Sequence, residues 1–266
     1  VDQTQKYEHL QAVLRPLHRV AVAFSGGIDS ALVLKAACDA LGEENVLALF
    51  ARSTLLKKRE IARAIQWPQV NGYSPGLLLD VVDVHPLGWK DFVNNGVERC
   101  YACKLHIYKL FFEQMERHGI SVLLDGTNTD DLKTHRPGLR AIHELGVKTP
   151  LVEVGIDKAD VRDLGRLLGL SNWDHPSSSC LATRIPNGIK INEAKLRLVE
   201  RCESELERCG LTNCRVRLMD EDAMTLVLAV GDAEFVKMLS AGFRSLIVRL
   251  LKQDGVTKVL LDLESR

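Results

Sequence analysis

AFSGGIDSALVL, residues 23–34, is the stretch whose reading decides the fold. The apolar run RVAVAF (19–24) enters it as a buried strand would, and apolar residues from Ala31 to Leu41 leave it at helical spacing before Gly42. Between the two, Gly26 and Gly27 let the backbone turn sharply and approach an anion with no Cβ in the way. The start of the following helix adds unpaired N–H groups and a partial positive charge. Ser25 and Ser30 add hydroxyls. The plainer reading is a glycine turn whose helix is capped by Asp29 or Ser30. The complete SGGxDS string, set between a buried strand and an apolar helix, favours phosphate binding.

Outward from this loop, strands and helices alternate. NVLALFA (45–51), LLLDVVDV (77–84) and SVLLDGT (121–127) read as further strands. KKREIARAIQW (57–67) reads as a helix that Pro68 ends. A long helix is expected from about 101 to 118, and ADVRDLGRLLGL (159–170) is another, with Asp157 or Asp160 near its start. This alternation predicts an α/β fold, a doubly wound, Rossmann-like parallel sheet, with ligands at the strand C-terminal ends. The loop DHPSSSCLATRIPNG (174–188) marks a change of domain, giving 1–188 and 189–266. The second part holds a helix (193–209), the β runs RVRLMD and MTLVLAV, a helix (232–252) and the strand KVLLDL (258–263), a smaller C-terminal α/β domain.

Lys+Arg and Asp+Glu both number 35 in 266 residues, so the formal net charge is zero. A nucleic-acid partner is therefore not expected, because phosphate contacts usually leave a basic excess. No apolar run approaches the roughly 20 residues that span a bilayer. The polar N-terminus VDQTQKYEHLQAVLRPLHRV reads as a helix and not as a secretory signal. Seven cysteines without an export signal suit a reducing compartment, and the expected location is the cytoplasm.

Cys100 and Cys103 form a CxxC in ERCYACK (98–104), and Cys180 lies in SSSCLATR (177–184). The pair has three readings: a zinc half-site, which His106 and His175 could complete, a redox pair, or two ligands of an iron–sulfur cluster. Cys38, Cys202, Cys209 and Cys214 read as small core hydrophobes. Arg215 and Arg217 flank Val216 and so share one strand face, as substrate ligands or as solvated surface charge.

SGGIDS resembles the signature of the PP-loop ATP pyrophosphatase superfamily, and the GxxxxGK[ST] of kinases and GTPases is absent from the chain. The resemblance implies that ATP is split to AMP and pyrophosphate. It also implies that Ser25, Gly26, Gly27, Asp29 and Ser30 bind the pyrophosphate, that the strand end at Ser53 contacts adenosine, and that Asp125, Gly126 and Thr127 stand near the α-phosphate. DGTNTDD (125–131), RPGLRA (136–141), the 177–188 loop and the RVR of the second domain extend the likeness over nearly the whole chain. With these the sequence is similar to the LarE type, the sulfur-insertion enzymes of nickel-pincer cofactor synthesis. That family adenylates a carboxylate of pyridinium-3,5-biscarboxylic acid mononucleotide with ATP and Mg²⁺, then converts it to a thiocarboxylate. Some members consume a cysteine of the Cys180 region. Others carry three cysteines and a [4Fe–4S] cluster that relays sulfide, and Cys100, Cys103 and Cys180 resemble that kind.

By the same resemblance Cys180, Asp29, Arg184 and Lys104 are the catalytic candidates, and Lys104, Arg136, Thr183, Arg184, Arg215 and Arg217 the substrate ligands. The likeness further implies a homo-oligomer, a trimer or hexamer, with Phe235, Leu239, Phe243 and Leu246 serving either the subunit interface or the domain's own core. The competing readings are a tRNA thiolase or an ammonia-using synthetase on the same scaffold, and a nucleotide- or cluster-binding regulatory module without turnover.

Overall fold

The computed structural model describes residues 2–133, 137–176, 179–222 and 224–264. In chain order its elements begin with helix α1 (Gln3–Leu14), strand β1 (Val20–Ala23), α2 (Ile28–Leu41), β2 (Val46–Arg52), α3 (Lys58–Val70) and β3 (Leu78–Asp83). Then come α4 (Lys90–Val93), α5 (Arg99–Arg117), β4 (Leu123–Leu124), α6 (Pro137–Glu144), α7 (Pro150–Glu153) and α8 (Lys158–Leu167). The last are α9 (Glu193–Arg208), β5 (Cys214–Leu218), β6 (Thr225–Val230), α10 (Asp232–Leu239), α11 (Ala241–Lys252) and β7 (Lys258–Leu261). They fall into two compact units. One comprises Val1–Ser53, Lys58–Val84 and Cys100–Ser178, the other Thr54–Lys57, His85–Arg99 and Ser179–Arg266. The sequence alone does not announce that 54–57 and 85–99 cluster with the second unit.

The first unit is built on a parallel sheet of order β3-β2-β1-β4. Every residue of β1 is buried, which is why it reads as an unbroken apolar run. From β1 the chain adds β2 and β3 on one side and returns to add β4 on the other. The order therefore reverses between β1 and β4, and in such sheets the crevice at the reversal is where ligands bind. SGG follows β1 and DGT follows β4, so both motifs stand at that point. Helix α2 is apolar on almost every side, with Ala31, Leu32, Val33, Leu34, Ala36 and Ala37 all buried, because α1 and α8 pack on it as well as the sheet.

Three expectations need correction. Helix α3 does not stop at Pro68 but carries it in its last turn and ends at Val70. A proline there forfeits one hydrogen bond, and buried Trp67, 5.2 Å from Phe24 and 5.4 Å from Tyr73, holds the turn in place. The fourth strand is only Leu123–Leu124, because just beyond it the Thr127 N–H donates to the Asp125 carboxylate at 2.8 Å instead of to a neighbouring strand. The helix expected over 232–252 is two helices, α10 and α11, broken at Ser240, whose extended backbone interrupts the i→i+4 bonding.

The second unit is a three-stranded sheet of order β5-β6-β7, antiparallel then parallel, with α9 packed on β5 and α11 on α9 and β7. Val216, Leu218, Leu226, Leu228, Ile247 and Leu251 are its core. Phe235, Phe243 and Leu246 are half-buried, whereas Leu239 is exposed. No helix among the described residues is long and apolar enough to cross a membrane.

Candidate functional site

The loop after β1 is ordered by its serines. The Ser30 hydroxyl donates to the Gly27 carbonyl at 3.0 Å, accepts the Ser25 N–H at 3.1 Å and lies 3.0 Å from the Ser25 hydroxyl. Gly26 has φ +78°, and a Cβ there would fall 2.9 Å from the Ala64 Cβ, so only glycine fits. Asn172, itself buried, donates its amide to the Gly26 carbonyl at 2.9 Å and fixes the peptide's orientation. The N-cap of α2 is Gly27, and no side chain caps the helix. Asp29 and Ser30, the two capping candidates of the plainer reading, therefore do other work, and the first N–H groups of α2 keep their capacity for an anion.

Asp29 is half-buried and doubly engaged. Its carboxylate accepts the Asn128 amide at 2.9 Å and the Lys158 ammonium at 2.5 Å. The β4 end lies directly on the loop, since a Cβ on Gly126 would sit 2.7 Å from the Ser30 nitrogen and 2.9 Å from the Asp29 carbonyl carbon. The DGT turn thus brings its backbone to the start of α2. Buried Asp125 accepts from the Tyr108 and Thr127 hydroxyls and pairs with Lys104 at 3.0 Å. Burial pushes the Asp125 carboxyl up, but Lys104, Thr127 and Tyr108 outweigh it and hold it below the ordinary carboxylate value. Burial and the same carboxylate drive the Tyr108 hydroxyl well above its ordinary value. Lys104 stays partly exposed, its ammonium 5.0 Å from the Tyr108 ring centre. Ser53 is half-buried one residue past the end of β2.

In the second unit, Arg184 is 5% exposed and wholly committed inside the fold. Its Nε and Nη2 donate to Glu203 at 2.8 and 3.2 Å, and its Nη1 donates to the Ser179 carbonyl and the Thr183 hydroxyl, both at 2.9 Å. The guanidinium orders the Cys180 loop. Glu203 has no exposed surface and pairs also with Lys57 at 2.6 Å, while Lys57 reaches Glu207 at 2.9 Å. Burial pushes the Glu203 carboxyl up, but Arg184 and Lys57 hold it below the ordinary value. The loop is gripped from a second side. The Arg99 guanidinium donates to the Ala182 carbonyl at 2.9 Å, and the Asn95 amide donates to the Pro186 and Ile189 carbonyls at 2.7 Å. Thr183 is exposed, with its hydroxyl donating to the Cys180 carbonyl at 2.8 Å.

Arg215 and Arg217 do share the face of β5 opposite buried Val216; Arg215 is half-buried, and Arg217 is exposed and 3.6 Å from Asp262. Arg136 lies outside the described residues. Cys100 and Cys103 stand one turn apart at the start of α5, exposed and half-exposed, and Cys180 is half-exposed in the second unit. Among the described residues no three or more His, Cys, Asp or Glu side chains are gathered to hold a metal ion. That does not weigh against magnesium, which takes one or two carboxylates and completes its shell with phosphate and water. Asp29 beside the uncapped loop fits such an ion. Each of the three thiols is exposed or half-exposed and in no disulfide, and thiolate is the ligand type that iron–sulfur clusters take. Cys38, Cys202 and Cys214 are buried, and burial pushes each thiol up to about 12, as expected of core residues. Cys209, grouped with them from the sequence, is half-exposed.

Comparison with known proteins supplies the kinship. A family model described as NAD synthase matches residues 8–72, the segment holding β1, the loop and α2. A pyridinium-3,5-bisthiocarboxylic acid mononucleotide synthase of Lactiplantibacillus plantarum is 34% identical over 96% of this chain and 89% of its own. An uncharacterized protein of Synechocystis is 35% identical over 97% of this chain and 94% of its own, and one of Methanocaldococcus jannaschii is 28% identical over 92% and 90%.

Proposed function

This chain belongs to the PP-loop ATP pyrophosphatase superfamily and, within it, to the LarE-type synthase family, and on that premise we propose that it is an ATP-dependent sulfur transferase. Its substrate is pyridinium-3,5-biscarboxylic acid mononucleotide. A carboxylate oxygen of the substrate attacks the α-phosphorus of ATP, the bond to the bridging oxygen breaks, and pyrophosphate leaves. Hydrosulfide then adds at the carbonyl carbon of the acyl-adenylate. A C–S bond forms, the C–O bond to AMP breaks, and thiocarboxylate, AMP and a proton are released.

The residues divide the work by charge. The backbone N–H groups at Gly26 and Gly27, with the Ser25 and Ser30 hydroxyls, hold the leaving pyrophosphate, and Asp29 holds its magnesium. Gly126 and Thr127 border the α-phosphate, and Ser53 the adenosine. Attack of one anion on another needs a nearby cation, and Lys104 supplies it. Arg215 and Arg217, with Thr183, bind the substrate's phosphate and carboxylate. Cys100, Cys103 and Cys180 would hold a [4Fe–4S] cluster, which when bound supplies an open iron for sulfide. The molecule works as a homo-oligomer in the cytoplasm.

The observation that carries this reading is the start of α2, which no side chain caps and on which the DGT turn lies directly. The test is pyrophosphate release from MgATP by anaerobically prepared protein, with and without the pyridinium dicarboxylate. Release that needs the dicarboxylate supports the reading, and release that needs ammonia or tRNA overturns it. Iron and acid-labile sulfide at about four each per chain, lost in Cys100→Ala and Cys180→Ala, support the cluster. Protein that never takes up iron makes Cys180 the consumable sulfur donor instead.

A further inference from the structure

Asp29, the acid of the phosphate loop, already has a cation in place. The Lys158 ammonium is 2.5 Å from one carboxylate oxygen, and the Asn128 amide occupies the other at 2.9 Å. No motif singles Lys158 out, yet its backbone is fixed with unusual care. It is the first residue of α8, whose cap residue Asp157 accepts the Asp160 N–H at 2.9 Å while Asp160 accepts the Asp157 N–H at 3.3 Å. Asp160 is in turn tied to α1 through Gln3 at 2.9 Å and Lys6 at 2.5 Å. The N–H of Lys158 itself donates to Asp130 at 3.0 Å. The backbone is pinned on every side, and the four-carbon stem alone is left to swing.

The SGGIDS loop contains no lysine or arginine. A P-loop carries its own lysine to the phosphates; a loop without one must receive a cation from elsewhere in the fold. Lys158 is the cation that the fold brings to the loop's acid. A divalent ion and an ammonium cannot share one carboxylate oxygen, since at such separations like charges repel strongly. We propose that Lys158 is the resident counter-ion of Asp29, that it yields the carboxylate to the magnesium of incoming MgATP, and that its released ammonium turns onto the departing pyrophosphate. Lys158 is thus both a competitor of magnesium and a ligand of the leaving group. The inference rests on the adenylating function proposed above.

The two roles pull a variant in opposite directions, which a merely structural ion pair would not do. Lys158→Met keeps the stem and removes the charge. Binding of a non-hydrolysable ATP analogue, followed by calorimetry across a magnesium titration, is expected to show the half-saturating magnesium concentration fall by about two- to fivefold, the range a solvent-accessible ion pair supplies. Pyrophosphate release at saturating magnesium is expected to fall by about a hundredfold, the loss seen when one positioned donor is removed from a developing anion. Lys158→Arg should retain more release than Lys158→Met, and melting curves establish that each variant is folded. A half-saturating magnesium concentration that is unchanged or raised in both variants overturns the proposal. The wild-type arm separates this from failure of the function itself: wild-type protein that neither binds MgATP nor releases pyrophosphate refutes the adenylating reading first.

Discussion

Replacing Glu203 by leucine is predicted to destabilise the second unit by about 3–5 kcal/mol, the cost of leaving a buried charge without its partner. The figure follows from the surroundings. Glu203 is fully buried and accepts two bonds from Arg184, one from Lys57 and one from the Val216 N–H at 3.1 Å. Lys57 keeps a second acid in Glu207, but Arg184 has only carbonyl and hydroxyl oxygens left. The loss therefore falls mainly on one guanidinium, toward the lower end of the range. At about 2–4 °C per kcal/mol for a chain of this size, the melting temperature drops by roughly 6–20 °C. Because Arg184 grips the carbonyls of Ser179 and Cys180, alkylation of the Cys180 thiol should also speed up. Paired substitution, Arg184→Met with Glu203→Leu, should recover much of the stability, since apolar replacements of buried ion pairs are often neutral or better. A loss below about 1 kcal/mol in Glu203→Leu, with Cys180 labelling unchanged, would refute the reasoning.

Gly126→Ala is predicted to abolish tight nucleotide binding while the protein still folds, because the new methyl meets the Ser30 nitrogen at 2.7 Å; isothermal titration with the ATP analogue checks it. Under native conditions iodoacetamide should modify Cys100, Cys103, Cys180 and Cys209 in cluster-free protein and spare Cys38, Cys202 and Cys214, whose thiols are buried and pushed up to about 12; peptide mass mapping reads the pattern. Asp125, Asp160 and Glu203 all have depressed folded-state values, so the stability they contribute is complete above the ordinary carboxylate range of about 4. It is lost as pH falls through that range and below, so urea midpoints should be level near neutrality and decline under about pH 5. A midpoint that rises on acidification would contradict that sign.

The parallel sheet was legible because β1 and β2 are buried on both faces and so read as continuous apolar runs, with glycine or proline marking where several helices give way. The loop serines and glycines announced themselves by local chemistry. Other features depended on contacts distant in sequence. Lys158 meets Asp29 from 129 residues away, and Asn172 meets Gly26 from 146, with no local pattern to flag either. Glu203 did leave a trace. It falls on the apolar stripe of α9 with Leu196, Val199 and Leu206, and an acid on a buried face implies a buried cation. That trace also bears on Arg184, whose guanidinium is the buried cation that Glu203 pairs with. The segment 85–99 could not be assigned to the second unit from its sequence, because what attaches it is carbonyl capture by Asn95 and Arg99, which needs the Pro186 and Ala182 backbone in place.

The most direct test of sulfur transfer is the mass of the pyridinium product after anaerobic incubation of the protein with MgATP, sulfide and the dicarboxylate mononucleotide. The account predicts a product in which oxygen of a carboxylate has been replaced by sulfur, formed together with AMP and absent when ATP is omitted. AMP formation with the dicarboxylate returned unchanged, or converted to an amide, would contradict it.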